Sequence, residues 1–318
     1  MAYLPEKATN ISLCQIAIPG THDSGTYSIT DSSALSPDMN FEVLTSLVGI
    51  FFNINFSKWS VTQRTNLTTQ LQSGIRYFDF RVALKQERCK GIKSNSSVDI
   101  YSCFYIVHGQ YANKVNMELE TIKRYLIDHP KEAVVIDFQH FYKFDDATYA
   151  IFAEMVEKMQ IFGNMLEPYR SQIPSLAELW SRKKQVIIMG YKKTLPTKEE
   201  GIPLIWPRSA IAQPWPNTRN PKILKNFLGK VYAIFSYFRS WMKKTKTSNF
   251  FVFQGILSPN MEFIITHSYS GVEKLAKRAN LVVKNWLDGL DNFRGIIITD
   301  FSILGFPKFA RSVFSMNW

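Results

Sequence analysis

The sequence predicts an α/β fold, a TIM-like (β/α)8 barrel that is regular or distorted. Three observations lead there. About eight short apolar runs with strand character recur along 318 residues, mostly separated by stretches at helical spacing. Runs such as Ala133-Val134-Val135-Ile136 and Gly295-Ile296-Ile297-Ile298 are apolar at consecutive positions, as strands buried on both faces require. Several runs stop at titratable residues, where barrels of this kind carry their chemistry. No linker or low-complexity segment interrupts the pattern, so residues 1–318 are expected to form one domain.

The first strand is expected over Leu13 to Ile18, broken by Pro19-Gly20 and followed by His22-Asp23. Thr68 to Ser73 reads as a short helix, with Gly74 just past its end. Ile75 to Val82 is the second strand. It places Asp79 and Arg81 two residues apart, hence on one face. Tyr101 to Val107 is the third strand and ends at His108-Gly109. Val115, Leu119, Ile122 and Leu126 mark a helix that stops before Pro130. Ala133 to Phe138 is the fourth strand, followed by Gln139-His140. Asp145 or Asp146 caps the next helix. Ser175 to Trp180 is one helical turn, and Gln185 to Met189 a fifth strand leading to Tyr191-Lys192. Pro203 to Trp206 is a weak sixth strand before a Pro/Trp-rich loop containing Arg208 and Trp215. A long helix over 221–246 then leads to strands at Phe250–Gln254 and Gly295–Thr299, with a helix at 272–290 between them. Asp300 closes the last strand.

An apolar fraction of 46% supports a large core. Lys and Arg number 38 against 26 Asp and Glu, a formal charge of +12, which favours polyanions: nucleic acid, anionic membrane or phosphorylated substrates. No nucleic-acid recognition motif accompanies the charge. Cys14, Cys89 and Cys103 form no C-x-x-C pair and argue against a disulfide framework; Cys14 and Cys103 read as small core residues. The first residues lack a signal-peptide layout, and no run of about 18 apolar residues predicts a membrane span. The expected location is cytoplasmic, peripheral at membranes, with no obligate protein partner.

Two histidines, several carboxylates and an arginine thus converge on the strand ends. Two imidazoles supply a base and an acid near neutrality. A carboxylate orients an imidazole and stabilises its cation. An arginine matches a phosphate group. Together these groups suit phosphodiester cleavage.

The segments Ile18-Pro19-Gly20-Thr21-His22-Asp23-Ser24, Gln70 to Arg81, His108-Gly109, Val134 to Phe141, Trp206-Pro207 with Gln213 to Thr218, and Ile298-Thr299-Asp300-Phe301 span nearly the whole chain. In them the sequence resembles the phosphatidylinositol-specific phospholipase C X-domain family, in particular its small animal members. The resemblance implies a catalytic set of His22, His108, Asp23, Asp79, Arg81 and Asp300. His22 would deprotonate the inositol 2-hydroxyl and His108 would protonate the departing diacylglycerol oxygen. Asp300 would orient His22, and Asp23 would assist the leaving-group side. Gln139, Tyr191, Lys192, Arg208 and Trp215 are the expected substrate contacts, and phosphatidylinositol in membranes is the expected partner.

Calcium-dependent members of the family carry acidic residues where this chain has Arg81 and Gln139. Calcium is therefore possible but not favoured, and no cofactor is expected. Apolar and basic surface at 41–59 (Phe51, Phe52, Phe56, Trp59) and at 227–246 is expected to help docking on anionic lipid. Two other readings remain open: another two-histidine barrel phosphodiesterase, and a non-catalytic binder of inositol phospholipids.

Overall fold

Period-two alternation in the strands separates two apolar layers. Ala17, Phe78, Val134, Ile136, Val186, Ile188 and Ile297 pack outward, under the helices. Ile18, Tyr77, Val135, Ile187, Met189, Val252, Ile296 and Ile298 point into the barrel with Trp206. A sheet closing on itself buries both sets at once, one under the helices and one in its interior. The structure is a computed structural model. It describes all residues except 40–54, 86–100, 159–161, 192–202 and 246–248, with backbone alone at 158, 191 and 240–245.

Among the described residues the helices are α1 (Glu6–Thr9), α2 (Ser57–Ser60), α3 (Leu67–Gln72), α4 (Val115–Asp128), α5 (Asp146–Lys158), α6 (Leu176–Ser181), α7 (Pro221–Thr245), α8 (Met261–Thr266), α9 (Val272–Asp288) and α10 (Phe309–Ser315). The strands are β1 (Ala17–Thr21), β2 (Tyr77–Leu84), β3 (Phe104–His108), β4 (Gln110–Lys114), β5 (Val134–Tyr142), β6 (Val186–Tyr191), β7 (Ile205–Pro207), β8 (Ile211–Ala212), β9 (Phe250–Gln254) and β10 (Gly295–Thr299).

Eight strands run parallel in the order β7-β6-β5-β2-β1-β10-β9-β8. β7 and β8 lie at the two ends of this order, so the barrel is curled but not fully laddered. Local chemistry sets several boundaries. Asn66 Oδ1 accepts from Thr69 N at the start of α3, and Gly74 leaves that helix at φ +99°. Asp145 Oδ1 accepts from Thr148 N, and Ser175 with Glu178 forms a capping box on α6.

Two expectations need correction. The run at 101–107 is not a barrel strand. β3 starts at Phe104, pairs antiparallel with the end of β2, and turns at Gly109 into β4. The polar residues of β4 hid this hairpin, and the eighth parallel strand is the short β8 instead. Cys103 is buried and disulfide-bonded rather than a core thiol. Residues 227–245 belong to α7, which leads away from the barrel mouth toward the start of β9. No helix among the described residues is long and apolar enough to cross a membrane.

Gly20 makes room inside the barrel. A Cβ there would lie 2.7 Å from Tyr77 Cδ1 and 2.9 Å from Ile298 Cγ2, both on neighbouring strands. The Gly20→Ala protein is expected to be less stable by about 1–3 kcal/mol, the usual penalty for overpacking, as read by denaturant unfolding. An unchanged midpoint would mean that the barrel interior relaxes freely around Tyr77.

Candidate functional site

The inward parity that fills the barrel with apolar side chains continues into polar ones at the mouth. Ile18 and Gly20 lead to His22, Tyr77 to Asp79 and Arg81, Val135 to Asp137 and Gln139, Val252 to Gln254, and Ile298 to Asp300. One alternation therefore places both the floor and the functional layer. In β5 a register shift opposite Phe80 and Arg81 leaves Gln139 unpaired in the ladder and sets His140 beside Arg81.

The residues after β1 turn sharply, with Asp23 at φ +41°. A polar network makes this turn rigid. Thr62 Oγ1 donates toward the His22 and Asp23 carbonyls at 3.1 Å each. Gln63 Nε2 donates to the carbonyls of His22 and Thr299, tying β1 to β10. Ser24 N donates to the Asp79 carbonyl, and Asp79 N donates to Ser24 Oγ. All of these side chains are buried.

Asp23 is the centre of the site. Its Oδ2 lies 3.2 Å from His22 Nε2 and 3.3 Å from His108 Nε2, and its Oδ1 lies 3.0 Å from Arg81 Nε. None of these contacts has full hydrogen-bond geometry, so both Asp23 oxygens and Arg81 Nε are buried without a directed partner. The two imidazoles sit edge to face, with centroids 6.2 Å apart. His22 Nδ1 is 2.8 Å from Asp300 Oδ1, and His108 Nδ1 donates to the Ser60 carbonyl at 2.7 Å. Each ring is thus anchored through Nδ1 and presents Nε2 to the pocket.

Burial alone would strip the proton from His22, but Asp23 and then Asp300 outweigh it and raise its pKa to about 9. Burial likewise opposes the charge on Asp23. Arg81, then His108 and His22, nevertheless hold its pKa down at about 2. Burial and the neighbouring Asp23 push Asp79 up to about 7. Arg81 is held even more firmly charged than usual, because Asp23 and Asp79 outweigh its burial. His140 is lowered by burial and by Arg81.

The pocket at the mouth encloses about 550 Å³. His22, His108, Arg81, Gln139, His140 and Arg208 form its polar side. Trp59, Ile256, Leu257, Pro259, Met261 and Ile264 form an apolar side. Arg208 pairs with the fully buried Asp137, which also accepts from Tyr77 Oη at 2.7 Å and Gln213 Nε2 at 3.2 Å.

The structure therefore gathers His22, Asp23, Asp79, Arg81, His108 and Asp300 at one point, with Gln139, Arg208 and Trp215 lining the same pocket. His108 arrives there from the β3–β4 hairpin rather than from a barrel strand. Tyr191 ends β6, its side chain lying outside the described residues together with Lys192, Phe51 and Phe52. Trp206 is not at the rim: it is buried inside the barrel, with Nε1 donating to the Glu167 carbonyl. Sequence reasoning missed Asp137, Gln63, Thr62 and Ser60. Only the period-two spacing from Val135 marked Asp137, and Ser60 acts through its backbone.

His22, Asp23 and Asp79 bring possible ligand atoms within 4.8 Å of one another. Calcium prefers six to eight oxygens. This set offers two carboxylates and one imidazole, with a guanidinium 3.0 Å from an Asp23 oxygen. The donor set does not fit calcium.

Paired imidazoles on one buried carboxylate thus stand at the mouth of a parallel α/β barrel, an arrangement suited to acid–base chemistry. No model of a known protein family matches the chain. Over its whole length it is 32% identical to PI-PLC X domain-containing protein 3 of Homo sapiens, covering 92% of that protein. It is also 30% identical to PI-PLC X domain-containing protein 2 of Mus musculus, covering 86% of it. The chain belongs to the PI-PLC X domain-containing proteins. Among solved structures it is similar to the phosphatidylinositol-specific phospholipase C from Listeria monocytogenes, with a TM-score of 0.67 at 18% identity, covering 100% of this chain and 97% of that one. It is similar also to the S. aureus enzyme of that name, at 0.66 and 16%, covering 98% and 95%. At these identities the solved structures show the fold alone.

The raised pKa of Asp79 gives a stability prediction. Between its unfolded pKa of 3.8 and about 7 the folded protein retains a proton that the unfolded chain has lost. Stability from this group is full below pH 3.8 and declines as pH rises through 7. Asp79→Asn is expected to raise the melting temperature at pH 8, with the gain shrinking toward pH 4. A loss of stability that is larger at pH 8 than at pH 4 would contradict this and show that the fold needs the carboxylate in its charged form.

Proposed function

We propose that the protein is a phosphatidylinositol-cleaving phospholipase C that works without a metal. The observation that carries this reading is the sharing of one Asp23 oxygen by two imidazole Nε2 atoms, with Arg81 on the other oxygen. Two proton-transfer groups and a phosphate-matching fork meet at one point, beside a pocket with one polar and one apolar side.

In this reading His22 Nε2 takes the proton of the inositol 2-hydroxyl. The freed oxygen attacks the adjacent phosphorus, and the bond from phosphorus to the diacylglycerol oxygen breaks. His108 Nε2 gives its proton to that departing oxygen. The products are diacylglycerol and a cyclic inositol phosphate, which water opens with the two histidines in exchanged roles. Arg81 neutralises charge building on the phosphoryl oxygens. Asp300 holds the His22 ring and stabilises its cation. Asp23 keeps the two imidazoles and the guanidinium assembled. The polar side with Gln139 and Arg208 would receive the inositol ring, and the Asp137 pairing of Arg208 favours hydroxyls over further phosphates. Trp59 and the residues around Ile256 would receive the glycerol. Trp215 is exposed at the mouth, where an interfacial aromatic can meet lipid.

Phosphorus NMR of the products from phosphatidylinositol vesicles tests the reaction, and a five-membered cyclic phosphodiester is the expected first product. His22→Ala and His108→Ala are each expected to lose roughly 10²–10⁴-fold in rate while remaining folded. Near-wild-type turnover in either would remove that residue from its role. The base must be neutral, and the carboxylates hold His22 charged up to about pH 9. kcat/KM is therefore expected to rise with pH into the alkaline range. Asp300→Asn removes one stabilising charge and should move that rising limb to lower pH. A limb that stays in place would mean that His22 is not the group being titrated.

A further inference from the structure

Half of the net charge sits on one helix. α7 carries Lys222, Lys225, Lys230, Arg239, Lys243 and Lys244 and no acidic residue. Its inner stripe is accounted for: Leu224, Leu228 and Phe235 are buried, with Phe235 packed on Phe251 and Phe253 of β9. A second stripe has no such role. Ile223, Ile234, Tyr237 and Phe238 are exposed by 51%, 56%, 77% and 52%. Ile223, Lys230, Ile234 and Tyr237, with the half-buried Phe227 between the first two, follow one another at steps of four and three. They form one line along the helix, rotated by roughly 100° from the buried one.

The direction of α7 matters. Pro221 follows the mouth loop that carries Gln213 and Trp215, and Thr245 lies shortly before β9 starts at the far end of the barrel. At 25 residues the helix is about 37 Å long. The stripe begins at the mouth with Ile223 and continues down the flank, well beyond what docking at the mouth would cover. The cations of the adjacent α9 are partly matched within that helix, Lys277 by Glu273 and Lys284 by Asp288. Among the described residues, Lys222, Lys225 and Lys230 have no acidic partner.

We propose that the outer flank of α7 is a lateral membrane-contact surface for an anionic bilayer. An apolar stripe flanked by lysines enters the boundary between headgroups and acyl chains while the ammonium groups reach the lipid phosphates. A tyrosine and a phenylalanine side by side suit that depth. A second copy of the chain is the wrong partner, because pairing two α7 flanks would bring Lys222, Lys225 and Lys230 against their own copies with no carboxylate on the helix to offset them. This contact does not depend on the catalytic reading, and it adds to docking at the mouth.

Cosedimentation of the full chain with phosphatidylcholine vesicles, with and without phosphatidylserine, tests it. Neither lipid carries inositol, so headgroup recognition in the pocket is not engaged. The wild type is expected to bind the phosphatidylserine vesicles only. Lys225→Gln with Lys230→Gln should weaken that binding tenfold or more. Tyr237→Ser with Phe238→Ser should abolish the part that survives high salt. Both variants alter exposed side chains and are expected to melt like the wild type. Equal binding by wild type and variants would overturn the proposal, as would no wild-type binding to the anionic vesicles. A wild-type dimer that the Tyr237/Phe238 variant turns into a monomer would overturn it in favour of self-association.

Discussion

A carboxylate buried among cations is the constraint on which the site depends. Asp23 is almost wholly removed from water, at the start of a turn that only a left-handed backbone allows. Desolvating such a group is expensive unless charge and geometry compensate. Here two imidazoles and a guanidinium supply the charge, from β1, from the β3–β4 hairpin and from β2. Three separate segments must be in register before the carboxylate is stable. The hydroxyl and amide network of Thr21, Ser24, Thr26, Thr62 and Gln63 beneath them keeps that register.

The barrel feeds this arrangement through one alternation. The same inward positions that hold Ile18, Tyr77, Val135 and Ile298 hold His22, Asp79, Asp137 and Asp300 one or two steps later. Tyr77 links the layers: its ring lies in the space that Gly20 leaves, and its hydroxyl reaches Asp137, which fixes Arg208. Packing in the floor and charge at the mouth are therefore one structure. The broken pairing between β7 and β8 lies where Arg208 enters the pocket, so the open side of the barrel is also part of the pocket wall.

Much of this was legible in the sequence. β9 and β10 have the limits expected from their apolar runs, because strands buried on both faces leave no ambiguity of period. The gathering of His22, Asp79, Arg81 and Asp300 followed from strand ends alone. His108 was expected at the same rim but on a barrel strand; it stands there on a hairpin whose second, polar strand looks like loop. β8, two residues long, has no periodicity to read. α7 was visible as a helix, but only the fold reveals that it runs away from the mouth. Ser60, Thr62 and Gln63 were invisible for another reason: they act on backbone carbonyls, and no spacing rule marks them.

Arg81 lies beside Asp23 where a cation would have to bind, so its role decides the chemistry. Cleavage of phosphatidylinositol in mixed vesicles, under excess chelator and then with added Ca²⁺, measures this most directly. Metal-free catalysis predicts the same release of diacylglycerol and cyclic inositol phosphate in both conditions. Activity that appears only with Ca²⁺ would contradict it and show that the guanidinium yields its place to a cation.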